Sequence, residues 1–126
     1  MTKTLKYTAD LLIDASHGTQ NAISEINKLK KNNEFSGLDA VVIATGANEA
    51  FEFGADLLRK HGTLIVVGQP SEKIAFTFHQ FIFRDITVKG SLLADAETCQ
   101  EMVDMVASKG IEVKTKVNDW KCVAEL

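Results

Sequence analysis

The sequence predicts an α/β fold, in which a twisted parallel sheet carries helices on both of its faces. Short apolar runs without polar alternation, typical of strands buried on both sides, recur along the chain. Segments with apolar residues at three- and four-residue spacing separate these runs and predict helices. The 126 residues suit one domain. We therefore predict a single α/β domain over residues 1–126.

The first half of the chain contains two strand-like runs, each followed by a helix-like segment. Residues 11–13 form a short apolar run, and the apolar spacing over residues 22–29 predicts a helix after it. Residues 38–44 are mainly apolar and β-branched without alternation and are the predicted central strand. Asn48 suits the N-cap of the next helix. Gly62 is expected to end that helix with a positive φ.

The second half repeats this order of strand and helix. Residues 63–67 predict a buried strand that ends at Gly68, shortly before the only proline. Residues 85–93 predict a fourth strand, and a last helix with apolar residues on one side ends at Gly110. Three or more strands joined by helices predict parallel pairing with right-handed crossovers.

Four of the seven phenylalanines lie between Ile74 and Phe83, where apolar residues alternate with others. One interpretation is internal packing of large side chains against the core. The other is an exposed sticky edge that pairs two subunits. The sequence leaves both interpretations open.

Composition excludes several classes of function. The net charge of -3 provides no basic surface for nucleic acid. No apolar run approaches the roughly 20 residues of a membrane span, and no signal-type apolar core follows the first residues. We therefore expect a cytoplasmic protein with no nucleic-acid or membrane partner.

Metal-ligand patterns are also missing from the sequence. The cysteines stand alone and the histidines are scattered, without the short spacings of tetrahedral zinc sites: Cys99, Cys122, His17, His61 and His79. We expect no metal ligands and no catalytic residue in this chain.

Three ordered motifs carry a family resemblance. The run from Leu58 to Gly68 resembles the helix-end, glycine and strand signature of zinc-type medium-chain alcohol dehydrogenases. A strand that ends at Thr45 and Gly46 precedes it, and residues 86–91 follow at about the family spacing. The similarity spans about residues 9–117, and residues 118–126 have the pattern of the start of a truncated helix. The resemblance implies a partial Rossmann-type domain that lacks the first two strands of the complete fold.

The resemblance also implies a cofactor site made mainly of backbone at the carboxyl ends of the strands. Val67 and residues 91–93 match groups that hold the nicotinamide carboxamide, and residues 45–47 match the ribose and pyrophosphate side. For the two glycines in this set, a plain turn function is an equal alternative. The implied cofactor-binding residues are Thr45, Gly46, Ala47, Val67, Gly68, Ser91, Leu92 and Leu93.

Departures from the family pattern limit the implied function. No G-x-G-x-x-G occurs, so the turn that cradles the pyrophosphate is missing. NAD or NADP, and zinc, are implied for the complete parent, whose catalytic domain would be a missing partner. The chain is therefore predicted to be an inactive fragment of an alcohol or polyol dehydrogenase. Alternatives are a non-catalytic α/β interaction module, or part of a zinc-independent quinone-type reductase of the same superfamily.

Two expectations concern assembly. The resemblance implies a homodimer joined through the segment between Ile74 and Phe83. Without the two missing strands, the edge at residues 41–43 would stay open. We expect the run at residues 11–13 to move inward and pair there, and pairing of edges between two chains is the alternative.

Overall fold

The computed structural model describes residues 9–29 and 36–112. The chain divides into two compact units, Met1–Leu92 and Leu93–Leu126. The first unit holds a parallel sheet with its helices, and the described part of the second unit holds one long helix. The helix start predicted over residues 118–126 lies outside the described residues.

Three parallel strands form the sheet of the first unit. They are β1 (Leu38–Ile43), β2 (Leu58–Val66) and β3 (Thr87–Gly90), in the spatial order β1-β2-β3. Val41 lies opposite Leu64, which lies opposite Val88 on the other side. The prediction of a partial, Rossmann-type parallel α/β sheet is confirmed. The strand order follows the chain order, as expected when each crossover brings the next strand to the same edge.

Helix α1 (Thr19–Leu29) and helix α2 (Glu49–Leu57) pack on the same face of this sheet. Phe51 of α2 is fully buried against Ile43. Ala22 and Ile26 of α1 pack against the end of α2, and Val41 of β1 contacts this cluster as well. Burial of these apolar faces is the main source of stability for both helices, because helices this short are marginal on their own.

Glycine permits the close approach of α2 to the sheet. A β-carbon added at Gly54 would lie 2.6 Å from Cδ1 of Ile43 and 3.1 Å from Cγ1 of Val41. Val42 points to the opposite face, where it is 58% exposed. The described helices α1 and α2 therefore cover one face of β1, and a second helical layer is not seen within the described residues of the first unit.

Residues 11–13 do not form the predicted strand. They run unpaired into a short 3-10 turn at Ala15–His17, and Leu11 and Ile13 pack against the cluster formed by α1 and Leu57. Among the described residues β1 pairs with β2 alone, so the predicted inward pairing with residues 41–43 is wrong. Three residues can bury their side chains against helices without a hydrogen-bonded ladder, and apolar composition does not distinguish the two arrangements.

The phenylalanine segment contains a one-turn helix instead of an alternating edge. Helix α3 (Phe78–Ile82) begins with a capping box, in which Thr77 and Gln80 satisfy each other's backbone amide groups. Gln80 is buried, while Phe78 and Ile82 are about 70% exposed. Helical spacing, rather than the period of two read from the sequence, therefore sets which side chains point inward.

The expected positive φ at Gly62 is also wrong. Helix α2 ends at Leu57 and β2 starts directly after it, so Gly62 lies inside the strand. His61 instead adopts the left-handed conformation, with φ of 61°. Its amide donates to the Arg84 carbonyl at 2.9 Å, and its Nδ1 lies 2.9 Å from Oδ2 of Asp85. These contacts offset the strain of a left-handed residue that has a side chain.

In the second unit, helix α4 (Ala96–Lys109) is capped at both ends. The Asp95 carboxylate accepts a hydrogen bond from the amide of Thr98 at 2.8 Å. Gly110 ends the helix with φ of 60°, as predicted from the sequence. No helix within residues 9–29 and 36–112 is long and apolar enough to cross a membrane.

Candidate cofactor-binding edge

The three strands end at one edge of the sheet, and hydrogen bonds join the turns that follow them. The amides of Val67 and Gly68 both donate to the Ile43 carbonyl, at 3.0 and 2.8 Å. The amide of Ser91 donates to the Val66 carbonyl at 2.9 Å. The turns after β2 and β3 are therefore each fixed to the neighbouring strand by main-chain hydrogen bonds.

The turns after β1 and β2 are in direct backbone contact at two glycines. A β-carbon at Gly68 would overlap the carbonyl oxygen of Thr45 and lie 2.6 Å from its carbonyl carbon. A β-carbon at Gly46 would lie 3.1 Å from the carbonyl oxygen of Gln69. Neither glycine has a positive φ. Close approach of two backbones, rather than turn conformation, is thus the reason that glycine fits here.

Most of the residues expected at this edge are brought together there. Ala47 follows the contact, and its amide lies 3.3 Å from Oγ1 of Thr45. Ser91 directly follows β3, and Leu92 beside it is 93% exposed. Leu93 begins the second compact unit, which is described separately. The arrangement leaves a surface of main-chain groups and small side chains that suits a flat ligand recognised by shape.

Contacts of Asn48 and of the loop after β2 were not predicted from the sequence. Asn48 was expected to cap α2, but its side chain makes no capping hydrogen bond. Its Nδ2 donates instead to Oε2 of Glu72 at 3.3 Å and to the Lys73 carbonyl at 3.5 Å. Gln69 supplies the carbonyl that lies against Gly46. These contacts join residues about 24 positions apart, so no local sequence signal could have identified them.

A nicotinamide cofactor fits these residues, whereas zinc does not. Open parallel sheets bind ligands at the carboxyl ends of their strands, and the two glycines remove the side chains that would fill the edge. Within the described ranges no three His, Cys, Asp or Glu residues come together as metal ligands. Any zinc chemistry would therefore need ligands from outside the described residues.

A parallel sheet whose strands end at an edge of main-chain groups is typical of one class, the α/β proteins that bind dinucleotides at their strand ends. The family model for zinc-binding dehydrogenases matches residues 2–108, and the chain belongs to this family.

The curated relatives are named as reductases and alcohol dehydrogenases. The chain is 27% identical to the probable D-xylulose reductase A of Aspergillus clavatus, over 86% of this chain and 30% of that protein. It is 32% identical to alcohol dehydrogenase 1 of Caenorhabditis elegans, over 82% of this chain and 28% of that protein. The chain thus spans less than a third of the length of these relatives.

Solved structures show the same fold. The alcohol dehydrogenase of Aeropyrum pernix superimposes with a TM-score of 0.76 at 19% identity, over 93% of this chain and 32% of that one. A zinc-binding dehydrogenase of Sinorhizobium meliloti, solved with NADP, superimposes with a TM-score of 0.68 at 23% identity, over 84% of this chain and 30% of that one.

Proposed function

We propose that this chain forms the nicotinamide-side half of the cofactor site of an NAD(P)-dependent alcohol or polyol dehydrogenase. The observation that carries the proposal is the contact of the Thr45 and Gly68 backbones at the carboxyl edge of a parallel sheet. Membership of the zinc-binding dehydrogenase family supports it. The residues that would contact the cofactor are Thr45, Gly46, Ala47, Val67, Gly68, Ser91, Leu92 and Leu93.

A cofactor held at this edge would supply the acceptor for the hydride of the alcohol carbon. The chain's own part is orientation by main-chain contacts. No general acid or base is assigned to this edge, and zinc and the proton relay would come from the remainder of a longer dehydrogenase. The cytoplasm is the proposed location, on the strength of the sequence alone.

The chain by itself is proposed to be inactive and to bind NAD or NADP more weakly than millimolar, because its sequence contains no G-x-G-x-x-G turn to cradle the pyrophosphate. Titration calorimetry with both cofactors tests the affinity, and absorbance of the reduced nicotinamide tests turnover with added zinc and short alcohols. Micromolar affinity or steady turnover would contradict the fragment proposal. Detectable binding that Gly68→Ala abolishes, with no turnover, would support it.

We also propose a homodimer through the segment between Ile74 and Phe83. Helix α3 buries a polar side chain and exposes apolar ones, the opposite of an ordinary surface helix. Gln80 points inward and donates to Oδ1 of Asp56 at 2.8 Å, while Phe78 and Ile82 point outward and are 70% and 71% exposed. Exposed apolar patches of this kind mark association surfaces.

Light scattering across a concentration series tests the dimer. Phe78→Asp is expected to give a monomer with an unchanged urea midpoint. Phe76 packs against the core cluster, so a charge there would report on folding instead. Leu12→Asp is the matched control, because Leu12 is 74% exposed and lies outside this segment. If the wild type is a monomer at high concentration, the proposed dimer is wrong.

The non-catalytic interaction module is the second candidate function, and the exposed face of α3 is the observation that favours it. A protein that forms the dimer but shows no cofactor-induced signal at any concentration would favour this candidate. The choice between a zinc-dependent parent and a quinone-type reductase depends on metal ligands, and metal analysis of the longer protein would decide it.

A further inference from the structure

Asn48 stands at the start of a helix without capping it. The residue has helical backbone angles, with φ of -59° and ψ of -40°, and the amide of Ala50 already donates to the carbonyl of Ala47 at 3.1 Å. An N-cap residue instead has extended angles, and its side-chain oxygen accepts from an amide of the first turn. The Asn48 side chain is therefore available for another contact.

That contact leads to the loop after β2. Nδ2 of Asn48 lies 3.3 Å from Oε2 of Glu72 and 3.5 Å from the carbonyl of Lys73. The same loop supplies Gly68 and Gln69, whose backbones lie against the turn after β1. The two turns that form the candidate cofactor edge are thus joined by backbone contact at one end and by a side chain at the other.

We propose that Asn48 is a positioning residue for the cofactor edge: its carboxamide braces the loop at residues 68–73 against the turn at residues 45–47. Main-chain recognition needs the donor and acceptor groups of both turns at fixed separation. Without the Asn48 contact the loop would be held only at its ends, by the Gly68 backbone contact and by Ile74 packed on the core, and the segment between them could shift. This inference rests on the proposed function for its purpose, while the brace itself can be measured without cofactor.

Four single variants separate a brace from a helix-start role. Asn48→Ala removes the contact, and Asn48→Asp keeps a residue that helix starts favour but loses the amide donor and faces the Glu72 carboxylate. Glu72→Gln keeps an acceptor for Asn48, whereas Glu72→Ala does not. Asn27→Ala is the matched control, because Asn27 also makes an exposed side-chain contact, to Oγ of Ser36 at 3.1 Å, on a different part of the unit.

Amide NMR and hydrogen exchange of the free protein give the first readout. For Asn48→Ala, Asn48→Asp and Glu72→Ala we expect shifted signals and faster exchange over residues 68–73, with an unchanged urea midpoint. Glu72→Gln and the Asn27 control should resemble the wild type. Unchanged signals over residues 68–73 in Asn48→Ala would overturn the brace. So would normal behaviour of Asn48→Asp, because a helix-start role alone tolerates aspartate.

Titration of NAD and NADP, followed by the same amide signals, gives the second readout. Loss of one hydrogen bond predicts cofactor binding weakened by about two- to tenfold in the three disrupted variants. Equal affinity in all variants would refute the positioning role. If the wild type gives no cofactor-induced shifts even at about 50 mM cofactor, far above a millimolar dissociation constant, the proposed function fails, and the positioning role with it. The free-protein readout then still decides whether the brace exists.

Discussion

Substitution of Gly68 by alanine should disrupt the candidate cofactor edge and the sheet next to it. The added β-carbon would overlap the Thr45 carbonyl oxygen and lie 2.6 Å from the carbonyl carbon. Both atoms are backbone, so no side-chain rotation can relieve the overlap. The turn after β2 would have to move away by about 1 Å or more, which breaks or stretches the hydrogen bonds of Val67 and Gly68 to the Ile43 carbonyl.

Overpacking of this kind costs roughly 1–3 kcal/mol, and weakening of two backbone hydrogen bonds adds about 1 kcal/mol each. We therefore expect Gly68→Ala to lower the free energy of unfolding by about 3–5 kcal/mol. Gly90→Ala is the matched control, because nothing lies within 4 Å of an added β-carbon there and its φ is not positive. It should change stability by less than about 0.5 kcal/mol.

Urea unfolding followed by circular dichroism measures both changes, with two-state behaviour checked by the amide NMR signals of β1 and β2. The loss of stability in Gly46→Ala is expected to lie between those of Gly68→Ala and Gly90→Ala, since its β-carbon would lie 3.1 Å from the Gln69 carbonyl oxygen. If Gly68→Ala is as stable as Gly90→Ala, the two backbones are not in contact, and the argument for the candidate edge is refuted.

Three further predictions test other parts of the fold. Gly62→Ala should lower the free energy of unfolding by about 1–2 kcal/mol in urea melts, because its β-carbon would lie 2.9 Å from the Arg59 carbonyl oxygen. His61→Gly should be neutral or stabilising, because it relieves the left-handed strain at that residue. A stable Gly62→Ala with a destabilised His61→Gly would contradict the structure. Gln80→Leu should cost about 1–3 kcal/mol by the same measurement, since it leaves the partners of a buried amide unsatisfied, and a neutral result would disprove that burial. The hydrogen bond from the Thr98 amide lowers the pKa of Asp95, so its contribution to α4 is present above the ordinary pKa and is lost as pH falls through the lowered value. Exchange of the Thr98 amide should accelerate in acid in the wild type relative to Asp95→Asn, and equal pH dependence of both proteins would argue against this cap.

The cofactor edge could be anticipated only in part. The family resemblance indicated that the turns after β1 and β2 belong to the cofactor site, and the structure places these two turns in contact. The partners of Asn48 could not be anticipated, because its amide crosses to residues in the loop after the next strand. Local chemistry indicated a helix cap, and the tertiary arrangement gave the side chain a different partner.

The sequence by itself determined the elements whose signals are local. The apolar run of β1, the periodicity of α1 and the glycine stop of α4 at Gly110 all follow from short-range preferences, and all are confirmed. The tertiary structure decided what depends on partners distant in sequence. Residues 11–13 have the composition of a strand, but a strand needs a neighbour to pair with, and these residues pack on helices. His61 takes the positive φ expected of Gly62, because its contacts with Arg84 and Asp85 form only once β3 is in place.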